Sequence, residues 1–331
     1  LLWFIGSVAS SYALFALYVG GILPLIPMVA AWAVLIDAPH VFGTFSRTYF
    51  DRAERTARKR LLWGSLLFFV VGPVMVLLRL GLVFFFLAAL WAYYHLVKQH
   101  YGFMVLYKKK NNDLLRADNF LDRVFLLLAF SYPFVAFVAR DPDAMKRVPA
   151  QLQAGVHGLE LILLTATIAF AVAWLFRQVQ RVVLGQALNV PKYLLLAAAI
   201  PMHWVVLLTP MPNKAIAIVA ILTIYHNLQY HRLIWFHNQK YKSGDDCKKR
   251  YGAAELISRR LVYYIAFGIL FGLWYQLPRQ FAGRSADPTS LSLPLQLLAA
   301  FFWGYAFIHY YLDSKIWRVR RDPSVGQALK L

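Results

Sequence analysis

Apolar runs of about 20 residues, the length that crosses a bilayer, recur along almost the whole chain. Short loops separate them and alternate between strongly and weakly basic. A soluble fold cannot hide so much apolar surface, since 60% of the 331 residues are hydrophobic. The pattern predicts an all-α, polytopic membrane bundle of about ten spans. They fall at 1–20, 23–43, 61–79, 82–106, 124–139, 156–176, 193–210, 214–236, 259–277 and 293–316. No polar stretch is long enough for a second domain, so a single transmembrane domain over 1–331 is expected. The chain starts inside an apolar run without Met, so residues upstream of Leu1 are expected and nothing is read about a signal peptide.

Charge orients the bundle. Of the 35 basic residues, 26 fall in the alternate loops that begin with Arg47–Arg60 and end with the tail after Asp313. The opposite loops hold only seven: Arg79, Arg140, Lys146, Arg147, Lys214, Arg279 and Arg284. Basic loops stay on the cytoplasmic side, which predicts both termini there, in a multi-pass protein of a bacterial inner membrane. The formal charge of +20 is divided among short loops. It predicts contact with anionic lipid rather than nucleic acid. The one cysteine, Cys247, excludes an intrachain disulfide and a cysteine metal cage.

That topology sorts the histidines. Asp37 and His40 end the second span, and His95 and His100 lie in the inner half of the fourth. His226 and His231 lie in the inner part of the eighth, and His309 with Asp313 closes the tenth. Four helices thus carry His or Asp to a similar depth. Ionisable groups near hydrocarbon are costly and mark sites. His157 and His203 fall in the outer half and are not expected to join them; His237 sits at the inner boundary as an interfacial residue.

Helical phase refines the set. Asp37/His40 and His309/Asp313 each share a face. His95/His100 and His226/His231 are i,i+5, about 140° apart on a regular helix. Both members of such a pair reach one metal only through a π-bulge or a distorted end. Two metals, or one metal with a dense set of supporting groups, fit the count. Imidazole and carboxylate without thiolate suit Fe, Zn, Mn or Cu.

Other residues carry blander expectations. Arg47 and Asp51, i,i+4, read as a local ion pair. Tyr225, Tyr230, Trp303 and Tyr310 read as an interfacial belt, or as the wall of an apolar substrate path. Lys98, Arg232 and Lys315 read as snorkelling cations. Glu160 reads as a separate polar contact.

The segments Asp37-Ala38-Pro39-His40 and His100-Tyr101-Gly102 resemble the Pro-His and His-aromatic-Gly motifs of the bacterial Brp/Blh carotenoid dioxygenases. The order is also similar, with a close His pair further on, here His226 and His231. The resemblance implies a polytopic enzyme holding non-haem iron through histidines on several helices. In strategy the chain is also similar to the membrane di-iron desaturases and hydroxylases, although it has neither an HxxxH nor an HxxHH box.

These readings predict a metal-dependent membrane oxidoreductase, an oxygenase of the non-haem iron type, with one or two irons and a lipophilic substrate. Zinc or haem in place of iron, and an electron-donor protein as partner, are the variants of that reading. The ligand set is His40, His100, His231 and His309, completed by His95 and His226, with Asp37 and Asp313 bridging or supporting. A transporter or channel with a His/Asp metal or proton path, and a haem-binding electron-transfer subunit, remain the alternatives.

Overall fold

Each of the ten expected spans is helical in the computed structural model, which describes residues 2–242, 246–282, 288–318 and 323–328. We number these helices α1 (Val8–Val19), α2 (Leu25–Arg47), α3 (Lys59–Leu77), α4 (Gly81–Lys110), α5 (Arg116–Arg140), α6 (Ala150–Val183), α7 (Val190–Leu208), α8 (Lys214–His237), α9 (Leu261–Ala282) and α10 (Leu293–Ile316). There is no strand among the described residues.

Seven described helices, α2 to α7 and α10, are long and apolar enough to cross a membrane. An eighth arises if α9 is joined to the short helix Ala253–Arg259 across a bend of 114°. The expected count of ten therefore divides by physical character. The first apolar helix, Trp3–Val19, is short for a bilayer. Helix α8 carries His226, Asn227, Gln229, His231 and Arg232 within two turns, and that polar load dilutes its apolar character. The chain is thus an all-helical protein of multi-pass membrane type.

Its contacts group into two compact units, Leu1–Ile22 with Tyr93–Tyr225, and Leu23–Ala92 with His226–Leu331. Helices α4 and α8 contribute to both.

In the first unit α5 packs against α6 and α7, and α1 against α7. Buried charge ties the basic ends together. The Lys108 ammonium bonds Asp122, and Lys192 donates to Asp113 at 3.0 Å and to Asp122 at 3.1 Å. Arg181 donates to Asp113 at 2.8 Å, and Arg177 to Asp118 at 2.6 Å. Trp174 adds an indole N–H to Asp122. Removing one partner from such a network strands the others in low dielectric. Sequence reading counted Lys108, Arg177, Arg181 and Lys192 only as members of the basic loops and singled out none of their carboxylate partners. Glu160, read as a separate polar contact, accepts from Arg140 at 2.8 Å.

Asp113 lies between α4 and α5, outside the spans. Burial pushes its carboxyl up, but Lys192, Arg181 and Lys108 outweigh that and hold it below its usual 3.8. A depressed carboxylate stabilises fully above its unfolded value and loses that contribution as pH falls through the folded one. Thermal stability in detergent should therefore be flat from neutral pH down to the usual carboxylate range and fall below it. Asp113→Asn should flatten that acid limb, as followed by circular dichroism.

In the second unit α10 packs against α3, and α9 against α2 and α10. The contacts run through glycines. A Cβ at Gly304 would meet Phe69 at 2.5 Å, and one at Gly268 would meet the Pro39 ring at 2.8 Å. Small residues let membrane helices approach to this distance. Pro39 lacks the N–H that would bond one turn back, and the residues just before it, Ala33–Asp37, form a π-helical turn. Such widened turns re-aim the side chains that follow. Here the side chain that follows is His40.

Candidate metal centre

Three helices of the second unit place one buried histidine each at the same point: His40 on α2, His226 on α8 and His309 on α10. The ring of His40 lies edge-on to the other two, with centroids 4.9 Å from His226 and 4.4 Å from His309. A ring nitrogen of His40 and one of His226 lie within 4.8 Å, as do a His309 nitrogen and an Asp313 oxygen. Each pair is close enough to share an ion, and the contact of the His40 and His309 rings at 4.4 Å brings the two pairs together. The set is imidazole and carboxylate, held at or below 3% exposure for the three histidines. It fits Fe, Zn, Mn or Cu better than Mg or Ca, which prefer all-oxygen shells.

One turn towards the basic end, a second group of polar side chains fixes His309. Asp313, ionised, only accepts hydrogen bonds. Tyr230 donates to its Oδ1 at 2.7 Å, and Thr44 donates to the same atom at 2.8 Å. With its proton so directed, the Thr44 oxygen accepts from His309 Nδ1 at 2.7 Å. That assigns the His309 proton to Nδ1 and the lone pair to Nε2. The tautomer follows from the hydrogen-bond network rather than from a located proton. Trp317 closes the group, its indole donating to Tyr230 at 3.4 Å. Such supporting bonds raise ligand basicity and fix ring orientation. Replacing Thr44 by Val keeps the shape and removes the bond. Metal affinity should then fall by about 10–100-fold, read by chelator competition, with the helical spectrum unchanged.

The remaining expected site residues fall as follows. His231 is engaged at both nitrogens, Nδ1 with the Tyr264 hydroxyl at 2.9 Å and Nε2 with the Ile36 carbonyl at 3.1 Å. Its centroid is 6.4 Å from His40. These two bonds make His231 a brace between α8, α9 and the π-helical turn, and it does not join the close donor pairs of His40, His226, His309 and Asp313. Asp37 accepts from Asn227 at 3.3 Å and from Gln276 at 3.0 Å. It thereby orients the residue next to His226.

His95 and His100 lie on the part of α4 that belongs to the first unit. His100 Nδ1 donates to the Leu96 carbonyl at 2.8 Å. Its ring packs beside Tyr225, Phe130 and His203, at 5.1, 5.2 and 6.0 Å. His203 lies between the hydroxyls of Tyr93, at 3.0 Å, and Tyr225, at 2.8 Å. His203 is absent from the close donor groups, but it packs beside His100, which the sequence placed in the opposite half of the bundle. The cause is helix length: α4 has 30 residues, longer than a bilayer requires, so position along the helix does not fix depth.

The expected Arg47–Asp51 pair is also corrected. Residues 48–51 leave the helix, so the i,i+4 geometry is lost. Arg47 instead donates to the Ile316 carbonyl at 2.8 Å. Asp51 caps the helix Arg52–Ala57 by accepting from Glu54 N–H, and it binds Lys240 at 3.3 Å and Tyr241 at 2.9 Å. Sequence reading missed Thr44 and placed Tyr230 in an aromatic belt or substrate wall, whereas it is buried and donates to Asp313. Their one available signal was phase: Thr44 follows His40 by four residues, and Tyr230 follows His226 by four.

No protein-family model, no curated protein and no solved structure matches this chain.

Proposed function

We propose that this chain is a metal-dependent integral-membrane enzyme, a non-haem iron oxygenase acting on a lipophilic substrate. The observation that carries the reading is the convergence of three buried imidazoles from three helices, with His309 held in its Nε2 lone-pair form by Thr44. His40, His226 and His309 would hold the metal, and Asp313 would ligate it or support His309. Bound iron would supply dioxygen activation, as it does where histidine and carboxylate leave positions open.

The chain's own residues do the rest. Desolvation by α2, α8 and α10 keeps bulk water from the three rings. The Thr44, Tyr230 and Asp313 hydroxyl and carboxylate network offers a proton route ending at His309 Nδ1. Trp91 stacks on Phe307 at 5.0 Å and reaches Tyr310 at 6.0 Å, an aromatic face beside His309 suited to an apolar molecule entering from the bilayer. On this reading the basic loops face the cytoplasm of a bacterial inner membrane, contact anionic lipid there, and receive an electron-donor protein.

Elemental analysis of protein purified without chelators, with an optical spectrum of the same sample, tests the proposal. One or two irons per chain and no Soret band is the expected result. A Soret band would instead assign haem, and metal-free protein would remove the enzyme reading. Stoichiometric zinc would keep the centre and reassign the chemistry to hydrolysis.

A further inference from the structure

Beyond the histidines, the same three helices end together. Arg47, His237 and Ile316 are the last residues of α2, α8 and α10. Arg47 is wholly buried; Glu54 and Asp313 lie close enough to favour its charge, but no carboxylate is within 4.0 Å of it among the described residues. One guanidinium nitrogen, Nη2, caps the Ile316 carbonyl. The other two, Nε and Nη1, are buried and make no hydrogen bond. Trp317 covers the face of the guanidinium at 3.7 Å, so a further acceptor would have to meet its edge.

The neighbours share this state. His237, 1% exposed, sits edge-on to the same Trp317 ring at 5.7 Å, and neither of its nitrogens makes a hydrogen bond of normal geometry. Asn238 is fully buried and makes no bond of normal geometry either, although it lies close enough to His237 for the two side chains to interact. Lys240 adds positive charge nearby, and its counter-ion Asp51 is already engaged by Tyr241 and the Glu54 N–H.

A buried cation without a counter-ion costs several kcal/mol, and a buried polar atom without a partner costs about 1–3 kcal/mol. Several such groups packed around one indole are what an anion site looks like when its donors are preset. A C-terminal cap alone explains one nitrogen of Arg47 and leaves Nε, Nη1, His237 and Asn238 unaccounted for.

We propose that Arg47, His237 and Asn238 form a binding site for a phosphate group. Arginine binds phosphate through parallel charge-assisted bonds from its edge. A tetrahedral oxyanion also presents further oxygens to the His237 ring and the Asn238 amide. The site lies at the ends of membrane-length helices, where a phospholipid headgroup resides, and an inorganic phosphate would satisfy the same donors. The proposal is independent of whether a metal occupies the histidine centre.

The test is thermal unfolding of the full chain in detergent, with phosphate titrated against chloride at matched ionic strength. A parallel arm titrates short-chain phosphatidylglycerol against a neutral glycolipid of the same chain length. Bound metal is measured in the same samples, so failure of this site and failure of the metal centre are read separately. Phosphate or phosphatidylglycerol should raise the melting temperature in a saturable way, and whichever acts identifies the source. Arg47→Gln should weaken the half-saturating concentration about tenfold or more, the loss expected for a charge-assisted contact. Should that variant fail to fold, His237→Phe and Asn238→Leu decide, each expected to weaken binding about threefold or more. No saturable shift with either phosphate source, or unchanged half-saturation in the folded variants, overturns the site.

Discussion

Protein in which His309 is replaced by Ala should be purified with less than about a tenth of the wild-type metal. His40→Ala and His226→Ala should do the same, because each ring comes from a different helix and none substitutes for another. His231→Ala is the informative contrast. Its nitrogens serve Tyr264 and Ile36, so it should lower stability while folded molecules retain most of their metal. Asp313→Asn should give an intermediate loss, since the amide keeps an acceptor for Tyr230 and Thr44 but removes the charge. The measurement is metal per folded chain, with folding followed by circular dichroism. Full metal retention in the His309 and His226 variants would dismantle the proposed centre. Equal loss in the His231 variant would restore that residue as a ligand.

How much of this was legible in the sequence depends on which interaction is asked about. The helices were, because apolar runs and basic loops are long-range patterns that no local packing detail overturns. Span 293–316 matches α10 residue for residue, since Pro294 near its start and the polar Asp313-Ser314-Lys315 near its end punctuate it. Depth and helix number narrowed nine histidines to six, His40, His226 and His309 among them, but ranked His100 and His231 ahead of His226. The division between ligand and brace was not legible. His226 and His231 look alike in sequence, and only the approach of Tyr264 and the Ile36 carbonyl separates them. The buried ion network of the first unit was hidden for a related reason. Lys108, Asp113, Asp122 and Lys192 each sit at a helix end, where charge normally meets water. Their burial is a property of three helix ends meeting, which no single segment records. Arg47 was misassigned because a helix was extrapolated four residues past its end.

The most severe disruption of the centre should come from a residue that touches no ligand. Gly272 lies on α9 four residues after Gly268, and its missing side chain lets the helix pack on the Val34 carbonyl and Ala38 Cβ of α2. A Cβ at Gly272 would come nearer to the Val34 carbonyl than real side chains ever do, and the obstacle is backbone, which cannot rotate away. Val34 belongs to the π-helical turn, and Ala38 directly precedes Pro39-His40. Gly272→Val should therefore lift α9 and shift the turn that aims His40. It should also loosen Gln276 from Asp37, a bond made one turn further along α9. Overpacking of a close interface typically costs about 1–3 kcal/mol, and more where backbone must move. The expected outcome is a marked fall in melting temperature together with loss of metal, although all proposed ligands remain. Gly64→Val is the control: a Cβ there meets nothing within 4 Å, so both properties should hold. If Gly272→Val melts and binds metal as the wild type does, the coupling of helix packing to His40 through the π-helical turn is wrong. The histidines would then be positioned by α8 and α10 alone.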